Sequence, residues 1–113
     1  MSKITQKNFY ERVLSGEERV EKVYDSQNVL AFYYNKIDSK KTHIILLPKV
    51  FISDFIHIKE EHKEVIWEIL SVARYLAKAV ESKKSGVKLY TEGGVFQEYP
   101  YLHFHLISDR SWE

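Results

Sequence analysis

No cysteine occurs among the 113 residues of this chain. Disulfide frameworks, thiolate nucleophiles and cysteine-ligated metals are therefore excluded. Neither sign of charge dominates. Lys and Arg number 17 against 16 Asp and Glu, for a net charge of +1, so no field argues for nucleic acid or an anionic membrane as partner. No apolar run approaches the roughly 20 residues that a membrane-spanning helix needs. The opening stretch MSKITQKNFYERVLSG lacks the apolar segment of a signal peptide. Glycine and proline are few, at 4 and 2, and the chain shows no repeat, low-complexity segment or internal linker. These absences lead to the expectation of a soluble cytoplasmic protein.

What is present is a globular composition, 44% apolar and 14% aromatic. The length predicts a single domain over residues 1–113. Residues 5–14 read as a short helix, capped by Thr5 or Asn8, with Phe9, Val13 and Leu14 as its apolar face and Gly16 as its stop. Residues 20–24 and 29–34 are runs of strand formers around the turn Asp25-Ser-Gln-Asn28 and predict a hairpin. Residues 36–42 read as a loop. Residues 43–48, His-Ile-Ile-Leu-Leu-Pro, are apolar on both faces and predict a central strand. Residues 59–82 predict a long helix whose stripe runs from Val65 through Ile69, Val72 and Leu76 to Val80. Residues 87–90 form a short strand, Gly93-Gly94 a loop, and residues 101–108 the last strand. This order predicts an α+β fold with a mainly antiparallel five-stranded sheet, one long helix and one short one.

The chemistry concentrates in the last strand, Tyr-Pro-Tyr101-Leu-His103-Phe-His105-Leu-Ile-Ser108. Side chains alternate along a strand, so Tyr101, His103 and His105 share one face, while Leu102, Phe104 and Leu106 face the core. Pro100 suits the first position of a strand. On spacing alone, a half-buried strand with histidines on its polar face explains the pattern. Two same-face histidines with a third, His43, from a neighbouring strand also make a possible three-ligand metal site, although the motif offers no carboxylate to orient the ligands. His57 and His62, among charges near the start of the long helix, read as solvated surface.

Several segments together resemble the histidine triad (HIT) family. Its signature alternates three histidines with apolar residues, and here reads Tyr101-Leu-His103-Phe-His105-Leu-Ile107. Leu30-Ala-Phe32 followed by His43-Ile-Ile-Leu-Leu-Pro48-Lys49 resembles the family's strand, loop, His, apolar run and Pro-Lys. Gly93-Gly94-Val-Phe-Gln97-Glu98 resembles its Gly-rich segment with a Gln before the triad strand, and Trp112 resembles a Trp near its C-terminus. The likeness runs from about Phe9 to Trp112.

The resemblance implies a HIT-like fold and a hydrolase that releases a nucleoside monophosphate from a phosphoramidate or related α-phosphate-linked leaving group. His103 then corresponds to the nucleophile, which becomes nucleotidylated. His105 corresponds to the third triad residue, His43 to the upstream histidine beside the site, and Gln97 to a donor to phosphate or leaving group. Imidazole suits a nucleophile near neutral pH when one nitrogen is free and the other is held. The implied partner is a purine nucleotide or nucleotide conjugate, bound by a homodimer, with no cofactor and no metal. Phe32, Tyr34, Asn35, Glu92, Gly94 and Tyr101 are the expected substrate contacts.

The departures from the pattern are as specific. Tyr101 stands where the first triad histidine is expected. The family's ribose-binding Asp falls on Tyr34 counted from Ala31-Phe32, or on Asn35 counted back from His43. Glu92 replaces an Asn before the glycine pair. These changes motivate an alternative: a HIT-like protein that binds a nucleotide or phosphate compound without turning it over.

Overall fold

The computed structural model describes residues 7–35, 42–81 and 86–108. The first element, helix α1 (Phe9–Ser15), begins where Asn8 caps it. Asn8 Oδ1 accepts the Glu11 N–H at 2.9 Å and Glu11 Oε1 accepts the Asn8 N–H at 3.1 Å, a reciprocal capping box. Gly16 ends the helix with φ +87°, a left-handed conformation that glycine adopts without steric cost. Thr5, the other cap considered, lies outside the described residues, as do residues 36–41 of the expected 36–42 loop.

Strands β1 (Lys22–Asp25) and β2 (Val29–Asn35) form the expected hairpin. The hydroxyls of Tyr24 and Ser26 tether it by donating to Glu68 Oε2 at 2.7 and 2.5 Å. Strand β3 (Thr42–Pro48) is the central strand of five, and its apolar character on both faces has that cause. Strands β4 (Val87–Thr91) and β5 (Phe104–Ser108) complete a sheet of order β1-β2-β3-β5-β4, antiparallel at every ladder. The α+β architecture with one long and one short helix is as the sequence predicts.

The chain leaves β3, crosses one face of the sheet as helix α2 (Lys63–Glu81), and arrives at the far edge as β4. Strand β5 then turns back into the gap between β4 and β3. His105 therefore lies in the sheet interior, beside a central strand. On the α2 face, Val65, Ile69, Val72, Ala73 and Leu76 pack against Ala31, Ile44, Leu46, Leu102, Phe104 and Leu106. On the other face, Tyr10 and Val13 of α1 pack against Leu30, Phe32, Ile45, Leu47 and Tyr101. Leu102, Phe104 and Leu106 thus face the core, as alternation requires.

Helix α1 and strand β1 start later than expected, at Phe9 and Lys22, and two further boundaries differ for a visible reason. Helix α2 starts at Lys63, because residues Glu60–His62 wind as a tighter 3-10 turn. His62 is half-buried, and its Nδ1 accepts the Lys59 N–H at 2.9 Å. His57 is exposed but bonds Asp54, the cap of the turn Phe55–His57. His57 is therefore the solvated surface residue expected, while His62 is partly buried, and both also shape turns. Strand β5 starts at Phe104, three residues later than predicted. The preceding backbone is committed elsewhere: the Tyr101 N–H donates to the Tyr99 carbonyl at 2.8 Å, and the Leu102 N–H to the Ile52 carbonyl at 2.7 Å.

Ile69 is fully buried between α2 and the sheet. Replacing it with Ala removes three methyl-sized groups from a close-packed layer, which costs about 2–5 kcal/mol. Urea unfolding monitored by circular dichroism should show a lower midpoint with the same slope.

Candidate functional site

Three imidazoles converge on the α1 face. His43 is on β3, His105 on β5, and His103 on the irregular segment just before β5. The register places Ile45 opposite His105, so His43, two residues away on the same face, reaches it diagonally. His43 Nε2 and His105 Nδ1 are 2.8 Å apart and hydrogen-bonded. The His103 and His105 rings meet edge to face at 4.8 Å.

His103 has a defined tautomer. Its Nδ1 lies 2.7 Å from the Tyr101 carbonyl. A carbonyl only accepts, so Nδ1 must carry the proton, and in the neutral ring Nε2 keeps its lone pair. The His103 carbonyl accepts from the Thr91 hydroxyl at 2.6 Å, which pins the segment to β4.

Aromatic side chains wall the cluster. Tyr10 of α1 lies over the His103 ring at 4.4 Å, and only 3% of His103 is exposed. Tyr90 of β4 stacks on His105 at 4.5 Å with the planes 14° apart. Tyr34 of β2 leans on His43 at 5.0 Å and meets Phe9 edge-on. Sequence reasoning missed Tyr10 and Tyr90. The available signal was register: Tyr90 lies opposite His105 in an alternating edge strand, whereas nothing local in the sequence aims Tyr10 at β5.

Burial sets the protonation states. Desolvation pulls all three imidazoles below their ordinary value, since a buried ring resists taking a charge. His105 is lowered furthest, to about 4, by burial and then by its neighbours His103 and His43. Glu92 and Glu98 act on His103 in the opposite direction without reversing the result. Near neutral pH the cluster is three uncharged rings with one bare, fixed nitrogen on His103.

The other sequence-derived residues take varied places. The Tyr101 hydroxyl does not line the cluster. It donates to the Pro48 carbonyl at 2.8 Å, with the Val50 carbonyl at 3.5 Å, and burial pushes the phenol up to about 12. Tyr101 thus ties the β5 approach to the loop after β3 and contributes its own carbonyl, not its hydroxyl, to His103. Phe32 is fully buried, with Phe9 packed over it, and supports the site from beneath. Gln97 is half-buried and gives one amide hydrogen to the Ser53 carbonyl at 2.9 Å, which leaves its second hydrogen uncommitted by that bond. Gly94 is exposed at φ +64°. A side chain on Gly93 would press on Phe55 at 3.1 Å and Ile56 at 3.3 Å, so Gly93 lets this loop lie close against the turn Phe55–His57. Glu92 places Oε1 3.9 Å from His105 Nε2. The Asn35 backbone lies opposite His43, and its side chain, like Trp112, lies outside the described residues. Lys49 pairs with Asp25 at 2.5 Å in the hairpin, away from the imidazoles. Among the described residues no group of three His, Asp or Glu side chains is arranged to hold a metal ion, so the metal-ligand reading of His43, His103 and His105 has no support in the geometry.

Tyr101→Phe should leave the buried Pro48 carbonyl without its donor and destabilise the protein by about 1–3 kcal/mol. Chemical denaturation compared with wild type measures this. The depressed imidazoles also predict a pH dependence. The unfolded chain binds protons as pH falls below about 6.5, while folded His105 resists until about 4. Its contribution to stability is complete above about pH 6.5, declines through that window, and levels off below it. His105→Asn should make the unfolding midpoint less sensitive to pH across the same interval.

Comparison with known proteins fits this arrangement. Residues 7–112 match the family model for the C-terminal binding region of the scavenger mRNA decapping enzyme. An uncharacterised HIT-like protein of Helicobacter pylori is 32% identical over 104 residues, covering 89% of this chain and 95% of the relative. A solved HIT-like protein superposes with a TM-score of 0.71 at 29% identity, over 88% of this chain and 96% of the other. A HIT family hydrolase from Legionella pneumophila gives a TM-score of 0.76 at 25% identity, over 88% and 90% of the two chains. With a matching family model across nearly all its length and HIT hydrolases sharing its sheet and helices, this chain belongs to the histidine triad family.

Proposed function

We propose that this protein is a nucleotide hydrolase that cleaves a nucleoside monophosphate from a phosphoramidate or a related leaving group through His103. The observation that carries the reading is the His103 tautomer. Its Nδ1 proton is held by the Tyr101 carbonyl, and the opposite nitrogen offers a lone pair in a dry site. In the first step His103 Nε2 attacks the α-phosphorus, a P–N bond forms, and the bond to the leaving group breaks as that group takes a proton from solvent. In the second step water attacks phosphorus and gives up a proton to solvent, the P–N bond breaks, and nucleoside monophosphate leaves with neutral His103 restored. The cluster is uncharged, so phosphate binding relies on oriented N–H donors, among them the remaining Gln97 amide hydrogen. Tyr34 and Gly94 are proposed to line the nucleotide side.

A binding-only reading draws on one observation. The Tyr101 hydroxyl, committed to the Pro48 carbonyl, offers a bound phosphate no donor. The two readings separate by turnover.

We also propose a homodimer. Among the described residues, Trp67 and Tyr75 of α2 are 59% and 77% exposed, and Val87 and Leu89 lie exposed on the edge strand β4. No described helix is long and apolar enough to cross a membrane, so these apolar side chains are not explained as a helical span.

The test is hydrolysis of a fluorogenic adenosine phosphoramidate, with a cap-type dinucleotide beside it because the matched family model bears the name of a decapping enzyme. His103→Ala should lower turnover on the order of a thousandfold or more with near-native circular dichroism, and wild type trapped during turnover should carry a nucleotidyl adduct on His103. An unchanged rate in the variant would overturn the proposal. Binding of nucleotide with no turnover in wild type would favour the binding-only reading.

A further inference from the structure

We propose that Glu92 is a positioning residue: its carboxylate holds the proton of His105 on Nε2 and so sets the direction of the His43–His105 hydrogen bond. The inference rests on the reading of the histidine cluster as the reacting site, and it concerns a residue outside the three imidazoles.

The starting point is an orphan atom. His105 Nε2 is buried and has no hydrogen-bond partner, a state that most buried polar atoms avoid. The other nitrogen, Nδ1, is bonded to His43 Nε2 at 2.8 Å. A neutral imidazole has one N–H and one lone pair, so two arrangements satisfy that bond. If His105 Nδ1 donates, Nε2 is a bare lone pair. If His43 Nε2 donates, His105 carries its proton on Nε2.

Glu92 decides between them. Its Oε1 is 3.9 Å from His105 Nε2. The other titratable groups facing the His105 ring are His43 from β3, Tyr90 stacked on it from β4, and His103 edge-on before β5. A lone pair aimed at a carboxylate is repelled, and an N–H aimed at it is attracted. The Nε2–H tautomer is therefore the favoured one, with His43 Nε2 as donor.

The gap is small. Closing 3.9 Å to an ordinary N–H···O separation needs about 1 Å of movement. The Glu92 side chain is 36% exposed, whereas His105 is 12% exposed and held between His43 and Tyr90. The backbone beneath Glu92 is fixed, because Thr91 pairs with Phe104 and donates to the His103 carbonyl. The carboxylate therefore orients the cluster by bonding to one ring, as the carboxylates behind many functional histidines do.

The assignment also accounts for a carboxylate beside a phosphate site. Its negative charge disfavours an anionic substrate in the ground state, and its hydrogen bond keeps the imidazole cluster in one proton arrangement. Removing it should therefore move kcat and KM in the same direction.

The experiment is nitrogen-15 NMR of the histidine rings in wild type, Glu92→Gln and Glu92→Ala, with turnover of the adenosine phosphoramidate measured in parallel. Wild type should show His105 protonated on Nε2. Glu92→Gln keeps a carbonyl acceptor and should keep that tautomer. Glu92→Ala should lose it, showing either exchange between tautomers or the Nδ1–H form, with kcat reduced about 10- to 100-fold and KM lowered. A backbone amide spectrum confirms that each variant is folded. An Nδ1–H tautomer in wild type, or an Nε2–H tautomer unchanged in Glu92→Ala, overturns the proposal. The tautomer is read without turnover, so its result stands apart from whether the protein hydrolyses any nucleotide.

Discussion

One hydrogen bond organises the site: His103 Nδ1–H to the Tyr101 carbonyl. It exists because the chain does not enter β5 directly from Pro100. The backbone first turns, so that the Tyr101 carbonyl bends toward the ring two residues ahead and does not join a ladder. A regular strand from residue 101 would have engaged that carbonyl in strand pairing and left the imidazole without its acceptor. The irregularity that shortens β5 is the feature that fixes the histidine.

Around that bond the fold supplies dryness and rigidity in separate pieces. The sheet holds His43 and His105 through β3 and β5, whose opposite face is sealed by α2. Two loops are locked to each other above the sheet by Gln97 to Ser53, by Leu102 to Ile52, and by Tyr101 to Pro48. Asp54, buried at the cap of a short turn, joins the same network through His57 and the Gly94 backbone, and those bonds hold its carboxyl below the usual range. Buried main-chain groups in an irregular segment need partners, and here side chains provide several of them.

Much of this was legible in the chain because it follows from period. The apolar run 43–48 announces a central strand, the Val65-to-Val80 stripe a packed helix, and the alternation after Pro100 puts His103 and His105 together. The resemblance to the histidine triad pattern rests on the same stretches. What was hidden was long-range. The Tyr101 hydroxyl looked like a site group because strand parity put it on the histidine face. Parity holds only within a strand, and Tyr101 precedes β5, so its phenol meets the Pro48 and Val50 carbonyls instead. Tyr10 was invisible for the opposite reason: a helix seven residues long shows which face is apolar, but not which strand it covers. Lys49 follows the Pro-Lys pattern, yet its partner Asp25 comes from a hairpin turn that no motif connects to it.

The short helix α1 carries a further consequence. Tyr10, which shields His103 from water, belongs to a helix too short to persist alone and held mainly by its cap and a few apolar contacts. Any excursion that lifts Tyr10 to admit a ligand also readmits water to the ring. Hydrated, the imidazole regains much of its ordinary affinity for a proton, and its lone pair is occupied more of the time. If His103 is the proposed nucleophile, access and nucleophilicity are thus set against each other at one short helix. On the proposed reading, the form of His103 best suited to attack is the one least open to solvent, and a substrate that packs its own base or leaving group where Tyr10 lay would restore the dryness it displaced.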